Sequence, residues 1–113
     1  MSSGSCHCGK VRFSVEGAPS EAIECNCTHC QRKGYLLWFV PRSQLVVEAG
    51  ADALSTYKFN KHVIDHHFCP DCGCAPFAEG QAPDGSAVAA INVRCLEIDL
   101  AAVKRMPFDG RSV

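Results

Sequence analysis

The chain carries nine cysteines in 113 residues, and eight of them fall into three tight groups. Cys6-His7-Cys8-Gly9 lies near the start. Cys25-Asn26-Cys27-Thr28-His29-Cys30 follows, then Cys69-Pro70-Asp71-Cys72-Gly73-Cys74, with Cys95 standing alone. Nothing else in the sequence constrains the fold as strongly, because sulfurs packed this closely must be bridged, ligated or kept reduced. An odd count, and an N-terminus "MSSGSCHCGK" without the apolar segment of a secretory signal, argue against a disulfide framework. The expectation is a cytoplasmic protein with reduced thiols, whose clustered cysteines hold metal. The core available to a chain of this length is thin, so a structural metal would add stability that burial alone does not.

The remaining composition excludes more than it suggests. The length fits one domain over residues 1–113. The net charge is −1 with both signs interspersed, so neither nucleic acid nor a membrane surface is expected as a partner. No apolar run approaches the roughly 20 residues of a membrane-spanning helix.

The pattern reads as mainly β. "KVRFSVEG" alternates Val11, Phe13 and Val15 with Lys10, Arg12 and Ser14, as a half-buried strand does. "YLLWFV", residues 35–40, is an apolar run stopped by Pro41 and reads as a buried strand. "QLVVEAG" and "STYKFNKHVIDHHF" add strands, the second with a hairpin turn at Asn60-Lys61-His62. "CAPFAEG" and "SAVAAINVRCL" flank a turn at Pro83-Asp84-Gly85. One short helix is expected near the C-terminus, "DLAAVKRM", with Asp99 as N-cap and Pro107 beyond its end.

"CPDCG" has the form of a zinc knuckle: two thiolates two residues apart, backbone N–H groups turned toward the sulfurs, and a glycine easing the turn. A knuckle gives two ligands and needs a second pair. "CHCG" ends in glycine in the same way, so Cys6 and Cys8 are candidates, although spacing also allows them to join the middle group. With the first pairing, four thiolates close a tetrahedral structural site. Cys25, Cys27 and Cys30 are then left as three ligands with an open fourth position, the mark of a working zinc. Three thiolates make that ion a weak Lewis acid, better suited to exchanging a soft sulfur ligand than to generating hydroxide. His29, Cys74 or Cys95 could instead close the site.

In their order and intervals, "GSCHCGKVRF", "CNCTHCQRKG", "FCPDCGCAPF" and "INVRCLE" resemble the glutathione-dependent formaldehyde-activating (GFA) family, which also holds centromere protein V. The resemblance runs from about Gly4 to Leu96. It implies a β-tent of small antiparallel sheets organised around a structural zinc held by Cys6, Cys8, Cys69 and Cys72. It also implies a second, catalytic zinc on Cys25, Cys27 and Cys30. The implied activity is that of a carbon–sulfur lyase, joining glutathione and formaldehyde into S-hydroxymethylglutathione, with a small thiol and an aldehyde as partners. Two other readings stand beside it: a non-catalytic zinc module that binds a partner, and a thiol sensor that cycles Cys25, Cys27 and Cys30 between metal-bound and disulfide forms.

The other singled-out residues have simpler expectations. Cys74 reads as a small buried or spare thiol, and Cys95, alternating with Val93, as strand core. His29 reads as a loop-surface histidine before a ligand or acid–base group. His66 and His67 read as strand surface or as hydrogen-bonding support for the metal loops, and His7 as a spacer. Arg32 and Lys33 are solvated charges, with a glutathione carboxylate as their functional alternative. Trp38 and Phe39 are core, with one of them able to line a pocket beside the second zinc.

Overall fold

The computed structural model describes residues 1–59 and 63–112. The hairpin turn expected at Asn60-Lys61-His62 lies outside the described residues.

Among the described residues ten strands form two sheets. The smaller contains β1 (Ser2–Ser5), β2 (Arg12–Val15) and β5 (Leu45–Ala49) in the order β1-β2-β5. The larger contains β3 (Glu21–Cys25), β4 (Leu37–Pro41), β6 (Ser55–Tyr57), β7 (Asp65–Phe68), β8 (Phe77–Gln81), β9 (Ala87–Asn92) and β10 (Lys104–Phe108). Its order is β10-β3-β4-β9-β8-β7-β6. Among the described residues a single α-helix, α1 (Thr28–Lys33), interrupts the run of strands. Among the described residues no helix is long and apolar enough to cross a membrane.

The alternation of "KVRFSVEG" places Val11, Phe13 and Val15 inside, all fully buried. Ser14 is buried too, because β2 is the middle strand of its sheet and is covered on both sides. Phe13 meets Phe77 of the other sheet edge to face, with ring centroids 5.8 Å apart. Around that contact Val15, Leu36, Leu45, Ile91 and Val93 build the main core. The apolar run at 35–40 is less buried than expected. Tyr35, Leu36 and Val40 are buried, Trp38 packs partly against the core, and Phe39 remains 55% exposed. The turn at Pro83-Asp84-Gly85 is present: Gly85 N–H donates to the Ala82 carbonyl, and Asp84 accepts from Ser86 N–H at 2.9 Å.

The expected C-terminal helix is corrected. Asp99 does cap a helical turn, accepting from Ala101 N–H at 3.1 Å, but only Leu100–Ala102 form it, as one 3-10 turn. The residues that would have continued it become β10, which pairs parallel with β3 from Lys104↔Glu21 to Phe108↔Cys25. Backbone pairing along the open side of β3 outweighs a weak local helix preference. Pro107 is tolerated because β10 is an edge strand. The parallel pairing also departs from the purely antiparallel expectation. Cys95, expected in a strand, lies in the 3-10 turn Val93–Cys95 and packs partly against the core.

Candidate metal centres and the paired cavities

Two turns of matching form bring the first sulfur set together. Gly9 and Gly73 both hold φ of +81°, a left-handed conformation that glycine adopts without steric cost. Each lets the chain fold back on its cysteine: Gly9 N–H donates to the Cys6 carbonyl at 3.2 Å, and Gly73 N–H to the Cys69 carbonyl at 2.7 Å. Cys6, Cys8, Cys69 and Cys72 converge with all four Sγ atoms within 4.8 Å of one another. The Cys6–Cys8 and Cys8–Cys69 sulfurs are each 3.6 Å apart. Val11 N–H points at Cys6 Sγ, and Lys10 forms an ion pair with Asp71 across the two turns.

The charges of this set call for a cation. Backbone N–H groups of Cys74 and Cys8 hold the Cys72 thiol down to about 6. The Lys10 N–H favours a Cys8 thiolate, yet the sulfurs of Cys6, Cys69 and Cys72 push Cys8 up to about 12. Four thiolates this close do not all ionise unless a positive ion shares the space. The donor set therefore fits a soft divalent metal such as zinc.

The second set is built by α1 and the strand before it. β3 ends at Cys25, and Cys27 caps α1, its Sγ accepting from Cys30 N–H at 3.2 Å. Cys27 N–H in turn points at Cys25 Sγ. The three sulfurs of Cys25, Cys27 and Cys30 lie within 4.8 Å of one another, and no histidine, carboxylate or further cysteine among the described residues joins them. Burial alone would push the Cys27 thiol up. The Cys30 N–H and the neighbouring Cys30 and Cys25 thiols outweigh it and hold Cys27 below the usual thiol range. Burial and the adjacent sulfurs push Cys30 up. One low thiol beside one raised thiol is again a set that a cation completes, and three donors fit a zinc with a vacant position.

The alternatives to an open site fall elsewhere in the fold. Cys74 packs against Cys6 and Cys69, and burial pushes the Cys95 thiol up to about 12. His29 is not a loop-surface residue. It is packed among the rings of Tyr35, Tyr57, Phe59 and His66, with a centroid distance of 4.6 Å to His66. The buried Nδ1 atoms of His29 and His66 have no hydrogen-bond partner among the described residues. His67 links Thr56 to Glu79 across β6, β7 and β8, and Glu79 also pairs with Arg42. Arg32 donates to the Thr28 carbonyl of its own helix. Lys33 reaches from α1 to the Gly73 carbonyl at 3.4 Å and lies over the Phe68 ring, tying the two cysteine regions together.

Sequence reasoning missed two features. The first is the C-terminal segment: Phe108 and Arg111 bond to the backbone of Asn26, and Asp109 and Arg111 to its side chain. These bonds press Gly110 against Cys25 so closely that a Cβ there would overlap the Cys25 sulfur. The second is a pair of cavities at the three-cysteine loop, both bordered by Cys25, Cys30, Tyr35 and Phe108. One, of about 520 Å³, is the more polar of the two, with Glu24, Asn26, Gln31, Arg94 and Asp109 on its walls. The other, of about 490 Å³, is apolar, with Ile23, Leu37, Phe39, Ala78 and Ala90 among its lining residues. Only a long-range contact map could have found either, since the elements involved are far apart in sequence.

Comparison with known proteins agrees with this architecture. A crystal structure of a Rhodobacter sphaeroides protein superposes with a TM-score of 0.77 at 28% identity, covering 92% of this chain and 99% of that one. A Halomonas elongata protein, provisionally named a glutathione-dependent formaldehyde-activating enzyme, is 32% identical over 81 residues, 64% of this chain. That match spans about half of the relative's own length, 52%. The model of the family described as glutathione-dependent formaldehyde-activating enzyme matches residues 1–106. With its motifs in order from the first cysteine turn to the last strand, the chain belongs to that family.

Proposed function

We propose that this protein is a zinc-dependent carbon–sulfur lyase-type enzyme acting on adducts of an aldehyde with glutathione or a similar small thiol, and that residues 1–113 work as one zinc-binding unit. The observation that carries the reading is a three-sulfur set, with no fourth protein donor among the described residues, opening onto two cavities beside a four-sulfur set. In this reading Cys6, Cys8, Cys69 and Cys72 hold a structural zinc, and Cys25, Cys27 and Cys30 hold the catalytic one. All nine cysteines are free, the state a reducing cytoplasm maintains.

Bound at the three sulfurs, zinc would supply a soft Lewis acid that favours an incoming thiolate. The protein's own part is positioning. The polar cavity offers Arg94, whose Nε is anchored on the Gly34 carbonyl at 2.8 Å. Its terminal nitrogens can meet a thiol substrate's carboxylate. Asn26 and Gln31 add hydrogen-bonding groups on the same wall. The carbonyl partner enters from the other cavity. In the forward direction the sulfur–carbon bond forms, the carbonyl π pair moves to oxygen, and the thiol's proton ends on that oxygen. Tyr35 borders both cavities, and burial, with Cys30 nearby, pushes its phenol up to about 12. It therefore stays protonated, a donor suited to a developing oxyanion. Reversal collapses the hemithioacetal to thiol and aldehyde.

The test is zinc content and turnover together. Protein purified under reducing conditions with excess zinc is expected to hold two ions per chain, a count that follows from the two donor sets. Cys27→Ser is expected to hold one, keep its fold and lose thiol–aldehyde turnover, whereas Cys72→Ser unfolds. A single ion in saturating zinc, or full turnover by folded Cys27→Ser, would leave a non-catalytic binding module as the better account.

A further inference from the structure

We infer that the carbonyl substrate of this site is an aldehyde with an apolar tail, a straight-chain alkanal of several carbons, and that the apolar cavity holds the tail. The inference rests on the thiol–aldehyde reading above and specifies its second substrate.

Strand register explains why the cavity exists. His66 of β7 pairs with Ala78 of β8, Ala78 with Ala90 of β9, and Ala90 with Phe39 of β4. Residues paired in this way lie side by side on one face of the sheet. The row therefore has a ring at each end and two alanines between, and the missing side-chain volume is a trough. Leu37, two residues from Phe39, extends the same face. The three sulfurs stand at the border of this trough.

Chemistry then selects the occupant. Among the described residues, none lining the trough is Lys, Arg, Asp or Glu. The charged body of glutathione would lose its hydration there without compensation, whereas the neighbouring polar cavity carries Arg94 and Asn26. Formaldehyde has one carbon and no tail, so the apolar walls give it no binding. A volume of about 490 Å³ falls in the range of small-molecule sites. Phe39, Ile64 and Phe108 border the cavity with 45–55% of their surface exposed, apolar area that a hydrocarbon tail would cover. Tyr35 and His66 are the polar side chains on this wall besides the cysteines, at the end where the reacting carbons would lie.

The experiment uses zinc-loaded full chain, glutathione and the alkanals from propanal to heptanal, whose carbonyl reactivity is nearly constant. The quantity read is kcat/KM divided by the uncatalysed rate constant. It is expected to rise about fourfold per methylene until the cavity fills. Calorimetry with hexanamide, an unreactive analogue, is expected to show binding, and acetamide none. Ala90→Leu should flatten the chain-length dependence and weaken hexanamide about tenfold, the effect of losing space for one or two methylenes. Phe39→Ser, at the exposed rim, should reduce the slope without burdening the fold. Turnover that is flat along the series, with no hexanamide binding, overturns the inference and leaves the thiol–aldehyde reaction standing. Hexanamide binding without turnover of any aldehyde overturns the reaction itself, and with it the aldehyde as occupant.

Discussion

Gly110 offers the sharpest test of how the three-cysteine loop is held. A methyl group there would overlap Cys25 Sγ, lie 3.4 Å from Cys27 Cβ and 3.5 Å from the Phe108 ring. The loop cannot easily retreat, because Cys27 N–H is engaged with Cys25 Sγ and Cys30 N–H with Cys27 Sγ. The C-terminal segment must therefore lift in Gly110→Ala. Lifting strains or breaks the bonds from Asn26 to Asp109 and from Arg111 to Asn26 and Gln31. These are exposed bonds at the low end of the usual range, so with the overlap the cost is about 1–3 kcal/mol. The part that falls on the sulfur geometry appears as lost metal affinity, where about 1.4 kcal/mol is a factor of ten. The assay is zinc transfer to a chromogenic chelator under reducing conditions, with urea titration of the metal-free protein. The expected result is about tenfold weaker retention of one of the two ions, with the other unchanged. Arg111→Ala removes the bonds without the overlap and should cost less, about 0.5–1 kcal/mol. Equal retention of both ions and an unmoved urea midpoint in Gly110→Ala would refute the argument. So would weakening confined to the four-cysteine site.

Two further outcomes follow from the histidines of β7. Burial, with His29 and His67 nearby, holds His66 down to about 4. The unfolded chain therefore takes up the proton first, and stability present above pH 6.5 is lost as pH falls toward 4, up to about 3 kcal/mol in total. The stability difference between wild type and His66→Phe, followed by urea titration from pH 7 to 4.5, should change along that course, and a constant difference would exclude it. Glu79→Gln weakens the contacts to Arg42 and His67 that span three elements. Both carboxylate contacts are about a third exposed on the Glu79 side, so the expected loss is about 1 kcal/mol or less, and a larger loss by thermal unfolding would show that screening has been overestimated.

What the sequence made legible followed from local chemistry. Paired cysteines with trailing glycines define turns whose geometry the residues themselves dictate, which made Cys6 and Cys8 candidate partners for Cys69 and Cys72; spacing left that pairing open, and the family resemblance implied it. Alternating strands and the turn at Pro83-Asp84-Gly85 are local in the same sense. The misreadings have nonlocal causes. "DLAAVKRM" has a good cap in Asp99, but the chain after Ala102 is claimed by β3, more than eighty residues away in sequence. The helix at Thr28–Lys33 went unread because its cap is a cysteine and six residues show no periodicity. His29 looked like a loop residue because its aromatic neighbours Tyr57, Phe59 and His66 arrive from another part of the large sheet.

The same contrast explains how one small chain can carry two sulfur sets of different character. The four-sulfur set joins two turns whose glycines fix their own shape, and the ion pair between Lys10 and Asp71 merely decorates it. Its four sulfurs are enough for a complete tetrahedral set. The three-sulfur set depends on parts that do not belong to it: a helix start that orients Cys27 and Cys30, and a C-terminal segment that presses on Cys25. Lys33 joins the two, bridging α1 to the Gly73 carbonyl beside Cys72. A loop shaped from outside can keep its three sulfurs converged with no fourth protein donor among the described residues, where two cavities border it.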